Sequence, residues 1–61
     1  MPEISVLMSV YNGEEFIAES INSILNQTFT DFELIIVDDG STDGTVDVVQ
    51  SFRDKRIRLF R

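Results

Sequence analysis

Two short runs, Ile4-Ser5-Val6-Leu7-Met8-Ser9-Val10 and Phe32-Glu33-Leu34-Ile35-Ile36-Val37, are nearly continuous in apolar residues. A strand that reads apolar at both alternating positions fits a sheet covered on both faces, the habit of parallel sheets. Parallel neighbours need a crossover, and the stretch between the runs supplies a helical one. There Ile17, Ile21, Ile24 and Leu25 recur at the i, i+4, i+7, i+8 spacing of one apolar stripe, with Glu14, Glu15, Glu19 and Asn22 mostly off it. Asn12 with Glu15 three residues later has the spacing of a capping box, which predicts a helix from that point to about Asn26 or Gln27, with Phe29 packing beyond its end.

The second run stops abruptly at Asp38-Asp39-Gly40-Ser41, where the chain must turn. Thr42 or Asp43 can cap a second helix whose buried face is Thr45, Val48, Val49 and Phe52. Its valines give it weak intrinsic helicity, so it must lean on tertiary contacts. After the polar link Arg53-Asp54-Lys55-Arg56, Ile57-Arg58-Leu59-Phe60 alternates as a third, more exposed strand. The order β-α-β-α-β with short loops predicts a three-stranded parallel sheet with right-handed crossovers. If the strands step in one direction both helices land on the same face, and the other face is left bare. More chain, or another copy of this one, is then expected over it.

Composition narrows the function classes. The 61 residues carry five Lys plus Arg against eleven Asp plus Glu, a net charge of −6, which argues against a general nucleic-acid binder. With no Cys and no His, a disulfide scaffold, a thiol nucleophile and the commonest general base and metal ligand are excluded. No apolar run approaches the roughly 20 residues of a membrane-spanning helix, and Met1-Pro2-Glu3 lacks the basic start of a signal peptide, so the chain is read as soluble and cytoplasmic. At this size a domain has little stability to spare, yet 43% hydrophobic residues are too many for a disordered segment. The chain is therefore an economical small domain or a piece of a larger one. Its charge is segregated: ten acids and no base from Met1 to Phe52, then five bases and one acid from Arg53 to Arg61. The basic end is read as a solvated turn leading into an edge strand rather than as a polyanion site.

Ligands of open parallel sheets bind beyond the carboxyl ends of the strands. Two segments meet there, Ser9-Val10-Tyr11-Asn12-Gly13 and Asp38-Asp39-Gly40-Ser41. A dinucleotide fingerprint fails because the first turn has only Gly13, and no G-x-x-x-x-G-K-[ST] loop is present. Phospho-acceptor receiver domains also carry adjacent acids, but after the first strand rather than the second.

Ile4 to Asn12 (ISVLMSVYN), the helix ending Ser23-Ile24-Leu25-Asn26-Gln27-Thr28, and Phe32 to Thr45 (FELIIVDDGSTDGT) together resemble the opening of the family 2 glycosyltransferases, inverting enzymes of the GT-A fold. Each part is weakly specific alone; in this order and spacing they are jointly specific, and they cover nearly the whole chain. Ser9 departs from the proline of many members, which leaves the turn less rigid without removing a binding group. The resemblance implies a Rossmann-like, incomplete GT-A layer, with residues 1–61 forming the N-terminal nucleotide-sugar-binding part. It also implies the base-binding roles. Uracil presents an N3–H donor that one carboxylate can accept, and the second acid of the pair, Asp39, takes that role; Tyr11 packs on the base, and the backbone around Ser9 and Val10 adds polar contacts. Asp38 either helps bind the nucleoside or closes the Gly40-Ser41 turn through its own carboxylate. The candidate nucleotide-binding set is thus Ser9, Val10, Tyr11, Asn12, Asp38, Asp39 and Gly40, with Asn12 better explained as a cap than as a ligand.

The nucleotide sugar, a UDP-sugar by the resemblance, brings about two negative charges to a surface with no cationic side chain, so a divalent cation, Mg or Mn, is expected in the complete enzyme. In the family that ion sits on a D-x-D-type motif after a later strand and the catalytic base comes later still. Neither is in this chain, which is expected to contribute no catalytic or metal-ligating residue. The implied partners are a nucleotide-sugar and a sugar, glycan or lipid acceptor, in cell-wall or polysaccharide synthesis, either free in the cytoplasm or peripheral to the cytoplasmic face of a membrane. The alternative is a non-catalytic small α/β module that binds nucleotide or self-associates through the bare face or the first strand's edge.

Overall fold

The computed structural model describes residues 3–27 and 31–61. Its elements follow the order read from the sequence: β1 (Ile4–Val10), α1 (Ile17–Leu25), β2 (Phe32–Asp38), α2 (Thr45–Ser51) and β3 (Ile57–Phe60). The sheet is parallel throughout with strand order β1-β2-β3. Register stacks like on like. Leu34 lies between Val6 and Ile57, and Ile36 between Met8 and Leu59.

Because side chains alternate across a strand, those rows share one face, and both helices lie on it. Ile17 and Ile21 from α1, Val49 from α2, and Val10, Phe32, Leu34 and Ile36 from the sheet form one buried cluster, with Val6, Met8, Ile24, Leu25, Val48, Phe52, Ile57 and Leu59 packed around it. The α1 stripe is therefore the predicted one, and α2 buries Thr45 and Val49 as expected. Phe29 lies outside the described residues.

The opposite face is uncovered among the described residues. Leu7 and Phe60 remain 70% and 53% exposed, and Val37 is exposed beside them. This is the arrangement expected for strands that step in one direction: both helices fall on one side of the sheet, and the second face is left open among the described residues. Part of that face is polar, since the Ser5 hydroxyl donates to Glu33 at 2.6 Å and Arg58 stands 3.8 Å from the same carboxylate.

Two helix ends differ from expectation. Helix α1 begins at Ile17 with no side-chain cap on Phe16, although the Ile17 N–H already reaches the Gly13 carbonyl at 2.8 Å. Asn12 does not cap it; its backbone is left-handed, with φ of 50°, and its side chain is engaged elsewhere. The helix closes at Leu25, with the Asn26 and Gln27 N–H groups still donating back to Asn22 and Ile24. Helix α2 starts after Gly44 rather than after Thr42 or Asp43, although the Asp43 carboxylate accepts the Thr45 N–H at 2.9 Å across the helix entrance.

Candidate nucleotide-binding rim

The carboxyl ends of β1 and β2 lie level, with Val10 opposite Asp38, so the loops that follow leave the sheet side by side. The Asp39 N–H donates to the Val10 carbonyl at 2.9 Å, extending the pairing one step past the strand. This bond places Tyr11 and Asp39 on neighbouring strand ends. Tyr11 is 60% exposed, and Asp39 is exposed as well. Ser9 lies on the uncovered face, whereas the Val10 side chain is in the core, which leaves only its backbone at the rim. Gly40 turns the chain at φ of 80°, a conformation that favours glycine.

Below those residues the two loops are stitched together. On one side, the successive N–H groups of Asn12, Gly13 and Glu14 donate to Ser41 Oγ, Thr45 Oγ1 and Asp43 Oδ2 at 2.9, 2.8 and 3.3 Å. In the other direction, Thr42 N–H donates to Asn12 Oδ1 at 2.8 Å and Gly44 N–H to Glu14 Oε1 at 3.1 Å. Three donors run one way and two return, so five backbone N–H groups of the two loops find partners across the gap between them. Gly13 is needed for the close approach: a Cβ there would lie 2.7 Å from Val10 Cγ2 and 2.8 Å from Phe16 Cζ.

Sequence reasoning placed Glu14 off the apolar stripe and Thr45 on a buried helix face, and it assigned neither to the rim. A signal existed for Thr45, because a hydroxyl on a buried face requires a partner. Its oxygen accepts from Gly13 and its hydrogen goes to Asp43 Oδ1. That hydroxyl, then the Thr45 and Glu14 N–H groups, hold the Asp43 carboxyl below the usual carboxylate range.

Of the two readings of Asp38, the hydrogen bonds realise the turn-closing one. Its side chain is buried, and its carboxylate accepts both the Ser41 N–H, at 3.1 Å, and the Ser41 hydroxyl. A divalent cation does not fit the described residues. No three carboxylates converge among them, and those of Asp38, Asp43 and Glu14 already accept backbone or hydroxyl hydrogens. A shallow depression of about 440 Å3 lies away from the rim, on Phe16, Glu19, Ser20, Ser23 and Ile24. Arg56 pairs with Asp54 at 2.7 Å and lies over the Phe32 ring at 4.7 Å, while β3 forms the sheet edge.

The sequence pattern described as "Glycosyl transferase family 2" matches residues 5–61. The chain belongs to glycosyl transferase family 2. Among curated relatives, an uncharacterized glycosyltransferase of Haemophilus influenzae is 45% identical over 98% of this chain and 25% of its own length. The putative glycosyltransferase EpsE of Bacillus subtilis is 49% identical over 98% of the chain and 23% of its own length. A crystal structure of Staphylococcus aureus TarS superposes with a TM-score of 0.84 at 38% identity, covering 93% of this chain and 18% of that one. TarS is described as a poly(ribitol-phosphate) beta-N-acetylglucosaminyltransferase. The β-α-β-α-β layer is thus that of a family 2 GT-A glycosyltransferase, and the chain spans about a quarter or less of the relatives it matches. No helix among its described residues is long and apolar enough to cross a membrane.

Proposed function

We propose that this chain forms the nucleoside-binding part of a glycosyltransferase that moves a sugar from a UDP-sugar to an acceptor hydroxyl with inversion. One observation carries the reading: an exposed ring and an exposed carboxylate, Tyr11 and Asp39, stand on adjacent strand ends joined by the Asp39 N–H···O=C Val10 bond. In this reading the Tyr11 ring packs on the uracil and the Asp39 carboxylate accepts N3–H. Cytosine offers a lone pair at that position, so a carboxylate repels it. Backbone at Ser9 and Val10, with Asn12 and Gly40 shaping the two loops and Asp38 closing the second, completes the set. The chain holds the base and orients the donor; acid–base chemistry and any Mg or Mn belong to residues outside the described set.

The test is a UDP titration of the chain followed through the Tyr11 and Asp39 amide signals. Both should shift together and saturate, and the purified chain should transfer no sugar. Signals that stay fixed at millimolar UDP overturn the reading. A second reading, self-association, is favoured by the exposure of Leu7 and Phe60 on the uncovered face.

A further inference from the structure

We propose that Asn12 is a positioning residue that sets the spacing of the two sides of the nucleoside rim; this rests on the reading of Tyr11 and Asp39 given above. Three observations meet at this side chain. Asn12 is the non-glycine residue with positive φ among the described residues, at 50°. Asparagine tolerates this left-handed conformation better than most residues, so the position selects for it. The conformation turns its N–H onto Ser41 Oγ at 2.9 Å while its Oδ1 accepts the Thr42 N–H at 2.8 Å. The pair bridges positions 29 and 30 residues apart in the chain.

Each end of this clamp is one step from a candidate base-binding residue. Tyr11 precedes Asn12 directly. On the other loop, the Ser41 hydroxyl that receives the Asn12 N–H donates onward to Asp38, the neighbour of Asp39. A linked series therefore runs from Thr42 N–H through the Asn12 side chain and backbone to Ser41 Oγ and Asp38. It ties the β1–α1 loop to the residue before Asp39, in addition to the Asp39–Val10 bond. With both ties in place the ring and the carboxylate are held in register before a ligand arrives, which lowers the ordering cost of binding.

Glycine and aspartate at position 12 separate this role from backbone strain. Asn12→Gly accepts the left-handed φ and retains the N–H that donates to Ser41, while it removes the Oδ1 acceptor and loosens the backbone. Asn12→Asp keeps that acceptor. Amide hydrogen exchange without nucleotide is the first readout, taken at Asp39, whose N–H does not touch Asn12. Asn12→Gly should speed Asp39 exchange about tenfold, the effect of losing one hydrogen bond's net contribution, while Ile21 and Leu34 keep their protection. Asn12→Asp should restore the parent rate. The second readout is UDP affinity, expected to fall about fivefold to tenfold in Asn12→Gly.

Unchanged Asp39 exchange in Asn12→Gly overturns the clamp. So does an acceleration that spreads equally to Ile21 and Leu34, which is a loss of overall stability. A clamp seen by exchange with UDP affinity unaltered overturns the positioning role. If the parent chain itself binds no UDP, the nucleoside reading fails, and the exchange measurement still decides the clamp.

Discussion

In the proposed reading a single carboxylate, Asp39, recognises one edge of a base, and its side chain is exposed for that contact. Its neighbour Asp38 is buried and committed to Ser41, while Asp39 uses only its backbone N–H, toward Val10, and keeps an exposed side chain. Asp39→Asn keeps the shape, removes the charge and adds an N–H2 donor. A hydrogen bond to a charged acceptor is roughly twice as strong as a neutral one, so UDP affinity should fall about tenfold, read by calorimetry or NMR titration. CDP should lose less, because the new donor suits the cytosine N3 lone pair; equal losses for the two nucleotides would remove Asp39 from base recognition. A second carboxylate makes a pH prediction. Arg56 donates to Asp54 through its side chain and its N–H and holds the carboxyl down at about 2, from an ordinary 3.8. The unfolded chain then binds more protons than the folded one between those values. Asp54 thus contributes stability that is fully present above about pH 4 and is lost as pH falls through about 2. In Asp54→Asn, urea midpoints measured from pH 5 to pH 2 should fall less steeply than in the parent. A parent-like slope would mean that the pair does not persist in solution.

Among the elements, α2 is the one whose place depends on a polar contact. It is seven residues long and valine-rich, and its first residue, Thr45, is fully buried with its oxygen accepting the Gly13 N–H at 2.8 Å. Thr45→Val keeps the volume but leaves that N–H without a partner, which should cost about 1–3 kcal/mol in urea unfolding. Thr45→Ser keeps the hydroxyl and loses one methyl, at about 0.8 kcal/mol. The order of the two variants is the test, since a purely apolar role for Thr45 would reverse it. The same contrast explains what could be read in advance. Strands β1 and β2 and the α1 stripe were legible because apolar spacing is a local property, repeated over several residues. The loop stitching was not, since Asn12 and Glu14 find their partners in the β2–α2 loop and no local pattern announces them. A capping-box spacing at Asn12 and Glu15 was outcompeted by that tertiary bond, which is why the helix starts at Ile17. For the rim, the sequence order showed that Tyr11 and Asp39 follow the first two strands, but only the level ends of Val10 and Asp38 bring them side by side.

Over the whole molecule the unbalanced feature is the sheet itself, with two helices on one face and none described on the other. Across the open face Leu7 lies beside Ile35 and Val37 beside both Ser9 and Phe60, an apolar patch next to the Ser5–Glu33–Arg58 polar group. Burying such surface releases roughly 25 cal/mol for each Å2 of apolar area removed from water, and in a chain this small there is no spare element among those described to do it. Taken alone in solution, the chain should therefore associate face to face, and sedimentation should show a weight-average mass that rises with concentration. The polar group sets the direction of the test. Leu7→Lys combined with Phe60→Lys places two cations on the patch at positions already 70% and 53% exposed, so the helix-side core is untouched and the unfolding midpoint should hold. Sedimentation of that double variant should return the monomer mass at every concentration. A parent chain that is well folded and monomeric throughout would show that the open face tolerates water, and the case for an apolar partner over it would end there.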